Sequence, residues 1–410
     1  MRQKNWENVK KIVEIFIELH KSSLASVLKK MIATLYRGKN MIIGCPKEVK
    51  LFENRVALTP PAVNSLTNLG CKVLVQQGAG LGSFISDEDY RKNGAEIVEN
   101  AHALWARSDI ITKVKEPLAE EFGYFREGQI IYTFLHLAAE PELSEALLEK
   151  KVTGIAYETI EENGHLPLLK PMSEVAGRMA TQVGAWSLQN LHGGKGILLS
   201  GVPGVRKGRV VILGAGVVGK NAAKIALGMG AQVTMLDISP ARLEEIDDLF
   251  LGQVQTIYSS ENSIISQISR ADLVIGAVLL AGARAPRLIS REMLKEMEKG
   301  TVLVDVAVDQ GGCMETVRRT THENPTYMLD GIVHYGVANM PGAVATTSTY
   351  ALSQVTLPYL LKIAREGLMD AIKNNSSLLK GVNTFKGKVT QSGVATALGK
   401  EYFEPLKILL

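Results

Sequence analysis

The run Val210-Val211-Ile212-Leu213-Gly214-Ala215-Gly216-Val217-Val218-Gly219 leaves few options for how its surroundings can fold. Its β-branched start reads as a buried strand, and glycines spaced G-x-G-x-x-G follow at once. Lys220 to Met229 is Ala-rich and reads as a helix, and Gln232 to Leu236 reads as a second strand ending on Asp237. Strand, glycine turn, helix, strand and acid in that order form a dinucleotide-binding unit. Gly214 permits the tight turn, Gly216 lets a pyrophosphate approach the backbone, and Gly219 lets the helix lie close to the strand. Val218 belongs to the same cofactor-binding turn. Free N–H groups and the positive dipole end of the helix face the phosphates. A chain with 38 glycines produces such triplets by chance, so Asp237, 23 residues after Gly214, carries the specificity. A carboxylate there accepts from a ribose 2′-OH and repels a 2′-phosphate, so NAD is expected over NADP. Arg242 reads as a solvated charge at a helix start.

At 410 residues the chain exceeds one ordinary core, and two domains are expected. No apolar run reaches the roughly 18 residues that span a bilayer, so no membrane association is expected. Cys45, Cys71 and Cys313 are odd in number and unpatterned, which excludes a disulfide framework or zinc site and makes the cytoplasm the expected setting. The net charge of +4 arises in residues 1–40, where nine Lys/Arg face three Glu; the remainder carries −2. The body therefore has no nucleic-acid footprint. Glu14 and Glu18 interrupt any signal-like apolar region in that leader, which reads as a non-targeting extension without site residues. Arg37-Gly38-Lys39-Asn40 can be encoded almost wholly by purines, so initiation at Met41 is one expectation and a basic surface helix the other.

From Met41 short apolar strands alternate with helical stretches. Strands are expected at Met41–Cys45, Lys72–Gln76, Asp109–Thr112, Gln129–Phe134 and Val152–Ala156, with helices near Pro60–Leu69, Asp87–Asn93, Ala101–Ala106 and Pro141–Lys150. A long helix is expected over Val175–His192, followed by a second series with later strands at Thr256–Tyr258, Leu273–Ala277, Val302–Val306 and Ile332–Val337. Such alternation predicts an α/β protein of two Rossmann-like, doubly wound parallel-sheet domains. The last strong helix, Ser348–Met369, has no sheet of its own to cover and is expected to return to the first domain. The substrate domain is then discontinuous, 41–170 with 347–410, and 171–346 forms the NAD-binding domain.

Polar residues stand where packing does not explain them. Gly44-Cys45-Pro46-Lys47-Glu48 ends the first strand, and Arg55-Val56-Ala57-Leu58-Thr59-Pro60 leads into the next helix. Lys113-Val114-Lys115-Glu116-Pro117, His136 and Asp309-Gln310-Gly311-Gly312 each follow a strand. Ligands of open parallel sheets bind beyond the carboxyl ends of strands, so these segments point to one crevice. A lone Lys there is usually a solvated charge and a lone His a hydrogen-bonded core residue, but the group together resists both readings.

In this order the segments resemble the alanine dehydrogenases and, more broadly, the family they share with the soluble α chain of nicotinamide nucleotide transhydrogenase. The resemblance includes Pro171-Met172-Ser173-Glu174-Val175-Ala176-Gly177-Arg178, Gly201-Val202-Pro203-Gly204-Val205, Val304-Asp305-Val306-Ala307-Val308-Asp309-Gln310-Gly311-Gly312 and Asn339-Met340-Pro341-Gly342-Ala343. It implies reversible oxidative deamination of L-alanine to pyruvate and ammonia with NAD, in a homo-oligomer, a hexamer. By the same resemblance Arg55 and Lys115 hold the substrate carboxylate and carbonyl oxygen, His136 is an acid–base group, and Asp309 is its catalytic partner. Asn339 and Met340 border the pocket, Ser173 lies near the pyrophosphate, and Asp237 meets the adenosine ribose. Two departures adjoin the cleft: Leu280-Ala281-Gly282-Ala283, and Ala345-Thr346 where the family has Pro and a basic residue.

The chemistry fits those residue types independently. An α-carboxylate suits a guanidinium fork, and a compact ammonium polarises a developing carbonyl. The amine must be neutral before oxidation, and the imine must then add water and lose ammonia. Both stages need a group titrating near neutrality, such as His136. The alternatives are a transhydrogenase α chain, a dehydrogenase of larger amino acids, and an inactive NAD-binding relative; Asp309 speaks against the first, having no task in direct nucleotide-to-nucleotide transfer.

Overall fold

The computed structural model describes residues 41–278 and 285–409. The leader 1–40 and the departure at 280–283 lie outside the described residues. Strands β1 (Ile42–Cys45), β2 (Lys72–Gln76), β3 (Glu96–Val98), β4 (Ile110–Thr112), β5 (Ile130–Thr133) and β6 (Thr153–Ala156) come first. They are followed by β7 (Arg209–Leu213), β8 (Gln232–Asp237), β9 (Val254–Tyr258), β10 (Leu273–Gly276) and β11 (Val302–Asp305). Last come β12 (Thr326–Leu329), β13 (Ile332–Tyr335), β14 (Val382–Phe385) and β15 (Lys388–Val389). They build an eight-stranded sheet, β15-β14-β6-β5-β4-β1-β2-β3, and a seven-stranded sheet, β12-β13-β11-β10-β7-β8-β9. Strands β4, β5 and β6 are buried along their whole length, as parallel strands covered on both faces must be.

The architecture is α/β as expected, but the sheets are mixed rather than wholly parallel. β14 runs antiparallel to β6 and β15, and β12 antiparallel to β13. For the two hairpins, β12–β13 and β14–β15, the cause is local. Asp330-Gly331 and Lys386-Gly387 all have positive φ (51°, 84°, 48° and 77°), and successive positive-φ residues make such tight reversals. The eight-stranded sheet thus takes its last two strands on one side, β14 and the edge strand β15, from the far end of the chain.

Three helices position the crevice. Helix α1 (Lys170–Ser187) starts five residues before the expected Val175, because Pro171 sits in its first turn, where the missing N–H costs nothing. A short 3₁₀ turn, Asn190–His192, replaces the expected last turn and closes on Gly193 at φ 86°. Helix α2 (Val217–Gly228) crosses α1 at backbone contact: a Cβ on Gly177 would lie 2.2 Å from the Val218 carbonyl oxygen. Helix α3 (Ala345–Glu366) begins at the Ala345-Thr346 departure and ends at Gly367. It is tied to the first sheet and its loops: Thr349 Oγ1 accepts from the Val56 N–H at 3.1 Å, and the hydroxyl of Tyr132 in β5 donates to the Thr356 carbonyl at 2.9 Å. Among the described residues no helix is long and apolar enough to cross a membrane.

Candidate functional site

Every candidate segment follows the carboxyl end of a strand. In the seven-stranded sheet the turn after β7 is shaped by its glycines. Gly214 has φ 105°, and a Cβ there would stand 2.9 Å from the Ala277 carbonyl oxygen. A Cβ on Gly219 would fall 1.9 Å from the Gly214 carbonyl oxygen, so strand and helix meet only without a side chain. Gly216 is the opposite case: among the described residues nothing lies within 4 Å of its Cβ position, so these leave the N-cap of α2 open. Val218 is buried beneath the turn. Asp237, at the end of β8, accepts the Ala215 N–H at 2.7 Å and the Ser239 N–H at 2.9 Å. Each carboxylate oxygen retains a free lone pair. Arg242 is exposed, 3.9 Å from Asp237. An open backbone cradle beside an anchored carboxylate fits the pyrophosphate and ribose of a dinucleotide. Ser173 lies in the first turn of α1, four residues before Gly177, which presses on Val218.

In the eight-stranded sheet the loop after β1 carries Arg55, which is buried together with Glu53. The guanidinium donates from Nε to Glu53 Oε1 at 2.6 Å and from Nη2 to Glu53 Oε2 at 2.5 Å. Nη2 also donates to Asn339 Oδ1 at 2.7 Å, while Nη1 meets the Met172 sulfur at 3.1 Å. Burial raises the Glu53 carboxyl, but Arg55 and Asn339 outweigh it and hold the group below its ordinary value. Beneath the loop after β4, Lys113 is wholly buried and donates to both oxygens of Glu121 at 2.7 and 2.9 Å. Glu48 accepts the Val114 N–H at 2.6 Å and so binds the β1 and β4 loops together. Lys115 stands on that platform, its ammonium lowered from the ordinary value by burial first and then by the Arg55 charge. Its ammonium makes no hydrogen bond or ion pair among the described residues.

His136 follows β5 at φ 51°, a backbone shape costly for a side-chain-bearing residue. Glu158 holds it there by accepting the His136 N–H at 2.6 Å and the Leu135 N–H at 3.2 Å. The imidazole Nδ1 meets Glu116 Oε2 at 3.0 Å, and the ring stacks on Phe134. Glu116 is buried and also pairs with Lys50 through Oε1. Burial would raise Glu116, yet His136, Lys50 and Lys115 hold it well below the usual carboxylate range. A carboxylate on Nδ1 selects the tautomer that leaves Nε2 free to accept a proton.

Asp309 lies on the loop after β11, its side chain half exposed. That loop is wound on the buried Asp305, which accepts N–H bonds from Ala307, Cys313 and Met314 at 2.9, 2.8 and 3.1 Å. Burial pushes Asp305 up to about 6, and those three donors oppose the rise. Asn339, after β13, joins the two halves. Its N–H donates to Asp309 Oδ2 at 3.3 Å and its Nδ2 to Glu53 Oε2 at 2.9 Å. Met340 beside it is buried. Arg55, Asn339 and Asp309 thus form one bonded chain, His136 and Glu116 a second, and no hydrogen bond joins His136 to Asp309 among the described residues. Glu53, Glu116, Glu158 and Met172 are members that residue-type reasoning passed over. Glu53 and Glu116 stood within two residues of assigned cations, which was the one available signal.

Two mostly parallel α/β sheets whose strand ends carry a glycine cradle on one side and a cationic, His-containing pocket on the other define a two-domain protein of the dinucleotide-binding dehydrogenase type. The chain belongs to the alanine dehydrogenase/PNT family: residues 44–176 match its N-terminal domain and 180–392 its C-terminal domain. It is 55% identical over 371 residues to an alanine dehydrogenase of Methanococcus maripaludis, covering 90% of this chain and 100% of that one. To an alanine dehydrogenase of Bacillus subtilis it is 55% identical over 370 residues, 90% of this chain and 98% of the relative. A solved L-alanine dehydrogenase superposes with TM-score 0.85 at 47% identity, covering 88% of this chain and 99% of the other. The transhydrogenase of Sinorhizobium meliloti superposes with TM-score 0.73 at 27% identity over 86% of this chain and 99% of its own.

Proposed function

We propose that this protein catalyses the NAD-dependent, reversible oxidative deamination of L-alanine to pyruvate and ammonia. The observation that carries the reading is the pair of under-used cations, Arg55 Nη1 and the Lys115 ammonium, in a pocket that also holds a carboxylate-oriented imidazole. Relatives named alanine dehydrogenase at 55% identity, against 27% for the transhydrogenase, support it over the nucleotide-to-nucleotide alternative.

NAD would be held by the turn Gly214, Gly216, Val218 and Gly219, with Ser173 toward the pyrophosphate and Asp237 accepting from the ribose. When bound it supplies the two-electron oxidant for the Cα–H bond of alanine. Arg55 Nη1 and Lys115 receive the substrate carboxylate, and Lys115 also polarises the oxygen that becomes the pyruvate carbonyl. His136 Nε2 takes the proton that must leave the ammonium group, the imidazolium being stabilised by Glu116. Asp309 orients the water that adds to the imine and accepts the proton that water gives up, and His136 returns its proton to the departing nitrogen. Asn339 and Met340 border the small apolar space for the methyl group. Residues 41–170 and 347–410 serve substrate binding, and 171–346 serve the cofactor. A homo-oligomer, a hexamer tested by sedimentation, would cover Leu191, Leu198, Val202 and Val205, which stand exposed. The deciding assay is oxidation of NADH by pyruvate dependent on ammonia. Absence of turnover in folded, NADH-binding protein breaks the proposal.

A further inference from the structure

We infer that Glu53 is a positioning residue that fixes which edge of Arg55 meets the substrate and couples that clamp to the Asp309 loop. This rests on the dehydrogenase reading above. A guanidinium has five N–H donors. Three are already used: Nε–H and one Nη2–H by Glu53, and the other Nη2–H by Asn339. Both Nη1 donors remain, and among the described residues they meet only the thioether of Met172, a weak acceptor. The Nε–Nη2 edge, the one that would grip a substrate carboxylate bidentately, is occupied by a carboxylate of the protein. Substrate is left the Nη1 end together with Lys115, whose charge is felt by the same neighbours.

Glu53 is itself over-determined. Oε1 accepts from Arg55 Nε and from the Arg55 backbone N–H at 3.1 Å, and Oε2 accepts from Arg55 Nη2 and Asn339 Nδ2. Donors on one carboxylate and an acceptor demand from Arg55 settle which way the Asn339 amide points. Anchored by that side chain at φ 58°, the residue presents its backbone N–H to Asp309. One buried carboxylate therefore sets the clamp in the first half of the crevice and one hydrogen bond to the catalytic acid in the second.

Steady-state kinetics of Glu53→Gln and Glu53→Ala in the full chain, with NADH affinity read by fluorescence, test this. Glu53→Gln keeps the volume and loses the charge, and should raise KM for pyruvate about 10- to 100-fold, the span of one or two charge-assisted bonds. kcat should fall by about threefold or less, and NADH affinity should hold. In Glu53→Ala, formate can occupy the vacated carboxylate position and should lower the pyruvate KM, whereas in the unsubstituted protein it competes with substrate and raises it. An unchanged KM in Glu53→Gln, no response of Glu53→Ala to formate, or loss of fold in both variants overturns the assignment; the last makes Glu53 a core ion-pair residue. If the unsubstituted protein shows no turnover, the dehydrogenase reading fails instead, and Glu53 is judged by calorimetry of pyruvate binding to the NADH complex, where wild-type affinity in Glu53→Gln overturns it.

Discussion

The two walls of the crevice are built by opposite means. The wall proposed for the cofactor relies on backbone: a turn whose three glycines are close-packed at Gly214 and Gly219 and, among the described residues, open at Gly216, all within six residues of chain. The wall proposed for the substrate relies on side chains, and its bonded groups come from residues as far apart as Glu53 and Asn339, 286 positions along the chain. Backbone N–H groups bind phosphate with fixed geometry and no titration. Buried side-chain charges give directional grip and proton transfer, but each must be compensated, hence Glu53 beneath Arg55 and Glu116 beneath His136. The comparison predicts that changes on the two walls separate: one should alter turnover at constant cofactor affinity, the other the reverse.

The sharpest break would come from Arg55→Ala. Loss of the clamp should lower kcat/KM for alanine about 10²- to 10⁴-fold, and Glu53 would be left buried without its cation, a cost of about 3–5 kcal/mol in unfolding experiments. NADH affinity, measured by fluorescence titration, should stay near the parent's; a parallel fall would mean the walls are not separable. Gly219→Ala is the converse. Its Cβ has no room against the Gly214 carbonyl, so the turn must shift, at about 1–3 kcal/mol. The expected result is NADH affinity weaker by about 5- to 150-fold with pyruvate KM at saturating NADH little changed.

Smaller effects refine each wall. Glu116→Gln should cost about tenfold in kcat, read in steady-state assays, because an imidazolium formed on His136 loses its counter-charge. Glu116 also has a stability signature. A carboxylate held below its ordinary 4.5 stabilises the fold fully above that pH and loses the contribution as pH falls toward its folded value. The melting-temperature gap between parent and Glu116→Gln should therefore be widest near neutrality and shrink below about pH 4. An invariant gap would remove Glu116 from the His136 pair. Asp237→Ser should give the mildest change, a narrower NAD-over-NADP preference, since its bonds to Ala215 and Ser239 are partly retained by a hydroxyl. An unchanged preference would place the ribose elsewhere.

Much of this architecture is legible in the sequence. The order strand, glycine turn, helix, strand, acid specifies its own local geometry, because turn sterics and helix–strand contact act between residues close in sequence. The buried runs of β4, β5 and β6 announced a sheet covered on both faces for the same reason, since periodicity is a local property. The strands β12, β14 and β15 carry short, weak apolar patterns, and their hairpins were marked only by Asp330-Gly331 and Lys386-Gly387. Arg55, Lys115, His136 and Asp309 were identifiable as chemistry-bearing groups at strand ends, yet their partners were not. Nothing within a few residues of Asn339 requires it to point at Glu53, and nothing near Glu116 requires it to face His136. Residue types and local turns were determined by the sequence alone; which carboxylate compensates which buried cation was decided only when two sheets brought their strand ends to one crevice, because electrostatic pairing depends on distance in space and not along the chain.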